Sequence, residues 1–157
     1  NGFSMRAHQP SANSRAYKLL GVYGEPITTQ IDFVLPNMRF EQVRCGAHWF
    51  SSRATVTPVT ADRCRVDVCA AWNIFPLLPF MPSIIQFFGR RFLGQDMGVM
   101  AEQARGLKSN PTLTLIDDAD RQAKWYYQLK AAYLESRRTG QPMQHPIAGP
   151  VTLRWRS

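Results

Sequence analysis

Between Ile27 and Trp72 the chain is written with a period of two. Ile27, Thr29, Ile31 and Phe33 alternate with Thr28, Gln30 and Asp32, the pattern of a half-buried strand, and Pro36-Asn37 ends it. A second run, Arg39 to Cys45, passes through Gly46 into a third, Ala47 to Thr57, where Trp49 and Phe50 put bulk on opposite faces. Pro58 to Asp62 supplies a turn. In the fourth run Cys64, Val66, Val68, Ala70 and Trp72 face one way, while Arg65, Asp67 and Cys69 face the other. Four successive strands joined by short turns predict an antiparallel sheet with one face against a core.

Beyond Trp72 the period lengthens. An apolar run from Ile74 to Phe88, interrupted by Pro76, Pro79 and Pro82, suits a pocket wall, a subunit interface or contact with a membrane surface. It is too short and too broken by proline to cross a bilayer. Two helical segments follow. The first carries Phe92 to Gln103 and ends near Gly106; the second is expected from Asp117-Asp118 to about Gly140, with Trp125, Leu129, Ala132 and Tyr133 on one face. Asp117 or Asp118 suits its N-cap, Asp120 and Lys124 are spaced as an i,i+4 pair, and Arg137-Arg138 suits the negative end of the helix dipole. Residues 1–16 read as a polar loop or a cut edge, 17–140 as one domain, and 141–157 as a proline-punctuated tail ending in a short strand, Val151 to Trp155. The fold class expected is α+β: an antiparallel sheet curled over a long C-terminal helix, with a cavity between them.

Composition narrows the function classes. The chain of 157 residues is 45% hydrophobic, enough for one domain with a real core, and the first residues show no charged segment leading into an apolar signal sequence. A net charge of +8 favours acidic partners. The arginines are scattered, however, with only Arg90-Arg91 and Arg137-Arg138 adjacent and no aromatic-basic RNA signature, which argues against nucleic acid. Cys45, Cys64 and Cys69 are odd in number and form no Cys-x-x-Cys pair, so free thiols in a reducing, cytoplasmic setting are expected. Cys45-Gly46-Ala47-His48 has the spacing of half a metal site, but with no second half both residues read as strand positions. His8 lies in the polar N-terminal segment and His145 in a loop, and neither has a partner at ligand spacing.

The chemistry concentrates at Asp96. On a helix Phe92, Asp96, Val99, Met100 and Gln103 share one face, which puts a carboxylate in an apolar stripe. Such a group needs a role: helix cap, ion-pair partner, proton carrier or metal ligand. As a cap it would open a helix at Met97; as a ligand it would join two histidines in a facial Fe(II) triad; Gln103 reads as its hydrogen-bonding neighbour in the core. No Gly-x-Ser-x-Gly, phosphate-cradling glycine loop or His-Glu-x-x-His is present.

Phe92-Leu93-Gly94-Gln95-Asp96-Met97-Gly98-Val99-Met100-Ala101-Glu102-Gln103 resembles the segment of Rieske-type non-haem iron oxygenases in which a Gln-Asp or Glu-Asp pair opens a helix. Ile31 to Phe40, Gly46 to Phe50 and Val56 to Val59 look like the sheet of the pheophorbide a oxygenase-like branch, and Asp118-Ala119-Asp120-Arg121 with Trp125-Tyr126 looks like its closing helix. The resemblance spans roughly residues 27–133 and rests on the spacing of several weak motifs. It implies a helix-grip, START-like catalytic domain in which Asp96 is one ligand of a mononuclear Fe(II). Electrons would come from a [2Fe-2S] cluster in a separate N-terminal Rieske domain, supplied by a ferredoxin or reductase, usually across a subunit boundary in a trimer. The substrates implied are O2 and an apolar, often cyclic compound, with Trp49, Trp72, Phe75, Phe80, Phe88, Val99, Met100 and Gln103 as pocket residues.

Two departures limit what this chain would do alone. The cluster-binding Cys-His pairs and the family's His-x(4 or 5)-His pair are not in the sequence. The chain therefore reads as the C-terminal part of such an oxygenase, an incomplete domain with one iron ligand and no turnover by itself. The competing reading is a metal-free helix-grip module that carries a lipid or other apolar ligand.

Overall fold

The computed structural model describes residues 1–6, 20–112 and 114–154. It is α+β, with a five-stranded antiparallel sheet in the order β1-β2-β3-β4-β5: β1 Gly2–Arg6, β2 Ile27–Val34, β3 Met38–Cys45, β4 His48–Pro58 and β5 Cys64–Trp72. Helices α1, Met81–Leu107, and α2, Arg121–Thr139, follow the sheet. Chain contacts divide the protein into two compact units, Asn1–Ile74 with Leu115–Ser157, and Phe75–Thr114, where composition had suggested one domain. The division falls where Phe75 takes a left-handed φ of 46°.

The four strands expected from the alternation are all present, and each pairs with the next. Their turns follow local chemistry. Cys45 pairs with His48, so the β3–β4 hairpin turns on Gly46 and Ala47, and Gly46 has the φ of +57° that a two-residue hairpin demands and that glycine adopts at no steric cost.

The first strand is a correction. Gly2–Arg6 is not loop but β1, paired with β2 from Gly2↔Val34 to Arg6↔Gln30. Residues 7–16 of the expected loop lie outside the described residues. The signal was there in the alternation of Phe3 and Met5 with Ser4 and Arg6. Gly2 fits because any Cβ would collide with the Phe33 carbonyl oxygen.

Register places Phe3, Met5, Ile31, Phe33, Val43, Cys45, Phe50, Val66, Val68 and Trp72 on one face of the sheet. At the β1–β2 end α2 packs on that face. Phe3 meets the Trp125 ring edge-on at 5.4 Å, Phe33 meets Tyr126 at 5.2 Å, and Gln122 reaches the Met5 sulfur. Thr29, Val43, Cys45 and Leu129 are the side chains that the sheet and α2 withdraw from water.

The start of α2 differs from expectation in detail. The helix begins at Arg121 behind a turn over residues 117–120; Asp120, not Asp117 or Asp118, is its N-cap, and its carboxylate accepts from the Ile116 N–H instead of from the helix. Lys124 pairs with Asp117 at 2.8 Å, not with Asp120, and Arg121 pairs with Asp118 at 3.0 Å. At the other end Arg137 and Arg138 occupy the last turn and Gly140, φ 71°, caps it, as the sequence predicts. The tail forms no strand over Val151 to Arg154; the Arg154 N–H donates instead to Asp118, and Trp155 lies outside the described residues.

Candidate functional site

Asp96 lies well inside α1, a continuous helix of 27 residues. That rules out the expected cap. A helix opening at Met97 would have free amides for Asp96 to accept from, but the unbroken helix already uses those amides in its own ladder. The reason the start was misplaced is Pro82, which sits in the first turn of α1, where a proline costs no hydrogen bond, so the apolar run continues into the helix instead of being cut off from it.

Helical geometry places Phe92, Asp96, Val99, Met100 and Gln103 on one face as expected, and all five are exposed. Among the described residues Asp96 takes no ion pair, and Gln103 makes no hydrogen bond with it. Both expectations of a buried carboxylate are therefore corrected: water, not a partner, solvates the group, so it carries no burial penalty.

The pocket residues expected from the sequence divide between the two units. Trp49 and Trp72 belong to the sheet, but Phe50, not Trp49, pairs with Trp72, so the two indoles stand on opposite faces and no single cavity takes both. Trp49 is held by Asn73, which accepts from its N–H at 2.6 Å and donates its own N–H to its carbonyl at 3.1 Å. Phe75, Phe80, Phe88, Val99, Met100 and Gln103 belong to the second unit, where Phe80 is 74% and Val99 60% exposed. Two depressions among the described residues have other linings. One, of about 360 Å³, lies against Phe3, Asp32, Phe33 and Phe40; the other, of about 590 Å³, is the surface of α1 around Phe87, Arg90 and Arg91.

For a metal the donor set is thin. Among the described residues no three His, Cys, Asp or Glu side chains gather around a common point. His8 lies outside the described residues. Cys45 and His48 are cross-strand neighbours at the hairpin, with the Cys45 thiol donating to the Glu25 carbonyl at 3.2 Å and the His48 ring stacked on Tyr23 at 3.6 Å. The His48 Nδ1 is buried with no hydrogen-bond partner among the described residues. The position of His145 is a second feature the sequence did not signal: its Nε2 lies 2.9 Å from the Gly2 carbonyl, which holds the tail against β1. One exposed carboxylate in this setting does not by itself fit an Fe(II) site, and no catalytic step through iron is drawn from it.

Charge is organised at the start of α2 instead. The Lys124 ammonium, hydrogen-bonded to Asp117, holds that carboxyl below the usual carboxylate range. The Arg121 guanidinium does the same for Asp118, helped by the Arg154 N–H. Arg138 lowers Glu135, and its own guanidinium is raised in return. These are surface pairs that hold a helix and a tail, not catalytic groups. No helix among the described residues is long and apolar enough to cross a membrane.

Comparison with protein-family models, with curated proteins and with solved structures returns no match to this chain.

Proposed function

We propose that this chain is a portion of a Rieske-type oxygenase alpha subunit and contributes Asp96 to a mononuclear Fe(II) site at which an apolar substrate is oxygenated. The observation that carries the reading is the placement of Asp96. It lies in mid-helix, where it caps nothing, on an exposed face with Phe92, Val99 and Met100, which leaves its carboxylate open to a metal whose other ligands come from elsewhere. An antiparallel sheet followed by helices supports the same reading, since that order suits a helix-grip domain. The two histidine ligands and the [2Fe-2S] cluster would have to come from outside these residues. Asp96 would serve as the anionic ligand, and the apolar residues beside it would exclude water from a hydrocarbon substrate.

The test is iron stoichiometry in the natural full-length protein. Asp96→Ala is expected to remove about one iron per chain while the visible spectrum of the cluster stays intact, because a lost anionic ligand weakens a facial triad but does not touch the cluster's own ligands. Iron content equal to that of the unaltered protein would end the oxygenase reading. If the natural protein holds no iron and an apolar ligand binds equally well to the Asp96→Ala variant, the metal-free carrier takes its place.

A further inference from the structure

Among the described residues no strand pairs with the β5 edge of the sheet. The Asn73 N–H donates to the Trp49 carbonyl and the Val59 N–H to the Arg63 carbonyl, which fixes the parity of the β4–β5 ladder. Arg65, Asp67, Cys69 and Ala71 spend their backbone groups on β4. Cys64, Val66, Val68, Ala70 and Trp72 point theirs outward, to an edge with no strand beside it among the described residues. The side chains of those same outward residues lie on the core face, where Val56, Val66 and Val68 are exposed. A row of free donors and acceptors backed by an apolar strip is a template for another strand.

We infer that the occupant of this edge is β5 of a second copy of the chain, paired antiparallel about a twofold axis at Val68. The strand has nine residues, and only a centre at Val68 pairs all of them, with Cys64 opposite Trp72 and Val66 opposite Ala70. Every free N–H then meets a free carbonyl. Centring on Arg65 or on Asp67 sets like charges face to face, and centring on Val66, which sets Arg65 opposite Asp67, pairs only five of the nine residues. Centring on Val68 sets Asp67, paired at 2.9 Å with Arg65 of its own strand, opposite the partner's Cys69. The guanidinium of Arg53 on β4 already reaches across to Cys69, with Nη2 3.7 Å from the sulfur. The incoming Asp67 therefore arrives beside a cation that makes no ion pair among the described residues. The exposed valines of the two copies join into one apolar strip, as an isologous interface requires.

This inference uses only the sheet and is independent of the oxygenase reading. Its test is the mass of the chain in solution by sedimentation equilibrium. The unaltered chain is expected to be a dimer at tens of micromolar, and Val68→Pro a monomer. Proline at 68 deletes an outward N–H that no bond among the described residues uses, so the β4–β5 ladder and the circular dichroism should persist. A second measurement does not depend on that variant. Asp67→Cys, with Cys64→Ser to remove the other exposed thiol, is expected to cross-link to Cys69 of the second copy under mild oxidation and to stop doing so when Cys69→Ser is added. A monomer at these concentrations overturns the inference and leaves the edge to a strand of another protein. So does a dimer that is indifferent to Val68→Pro and that, in the Asp67→Cys variant, forms no disulfide between the copies.

Discussion

The two ends of the sheet are built from the same kind of sequence and end in different states. At the β1 end Phe3 and Phe33 alternate with polar residues and α2 lays Trp125 and Tyr126 over them; one strand further in, Val43 is 4% exposed. At the β5 end Val56, Val66 and Val68 alternate just as regularly, yet Val68 is 41% exposed. The edges differ in the same way. The Gly2 carbonyl points outward from β1 and is taken by His145, while the outward groups of β5 have no neighbour among the described residues. Alternation thus specifies which face of a strand is apolar, and what covers that face is decided by elements far along the chain.

The sharpest way to break this comparison is to remove equivalent bulk from the two ends. Leu129 is fully buried, so Leu129→Ala should cost about 2–5 kcal/mol, the sum of lost transfer energy and a cavity that packed neighbours cannot close. Val66→Ala on the open end should cost less than about 1 kcal/mol, since water already reaches the side chain. Denaturant unfolding of both variants measures the difference. Equal costs would mean that the β5 end is covered in solution, which the dimer inferred above would do, so the measurement belongs at concentrations where the chain is monomeric.

A smaller effect sharpens the comparison through pH. Asp118 joins α2 and the tail, since it accepts from Arg121 and from the Arg154 N–H, and these bonds lower its pKa in the folded protein below the value it has unfolded. A lowered folded pKa contributes stability above the unfolded value of about 3.9, and that contribution is lost as pH falls through the folded value. Unfolding midpoints should therefore decline in acid more steeply for the natural chain than for Asp118→Asn, with the two curves converging once the pH is below the folded value. Asp117 and Glu135 carry shifts of the same sign, but their pairs are more exposed and better screened, so Asp117→Asn should change the acid limb less than Asp118→Asn does.

Much of the sheet was legible because a period of two needs only local residues to be read: the runs beginning at Ile27, Arg39, Ala47 and Cys64 match β2 to β5 within a residue or so at each end. β1 was missed because its short run of Phe3 and Met5 is only half of an alternation; its partner strand lies past residue 26, and pairing over that distance leaves no local mark. The starts of α1 and α2 were misplaced for opposite reasons. Pro82 was read as a break when the first turn of a helix accepts it, and Asp117-Asp118 were read as caps when their charges are spent on Lys124 and Arg121. For the candidate site the helical face of Asp96 was legible and its burial was not, because a stripe shows which residues face together but not what lies opposite them.

The smallest prediction concerns the edge that the tail protects. A carbonyl only accepts, so the His145 Nε2 facing Gly2 carries the hydrogen, and Nδ1 is left to accept from the Ile147 N–H at 3.3 Å. The ring thus links the tail to β1 while folding the tail on itself. His145→Ala removes one exposed hydrogen bond worth about 0.5–1.5 kcal/mol, too little to unfold the sheet. Its effect should be local instead. Asn1 accepts from Leu35, so by parity Phe3 and Met5 hold β1 to β2, and their amides should exchange up to about tenfold faster in the variant. The amides of Arg65, Asp67 and Cys69, which hold β5 to β4 at the opposite edge of the sheet, should be unchanged. Equal acceleration at both ends would show that His145 stabilises the whole sheet and that the difference between the edges is not the tail's doing.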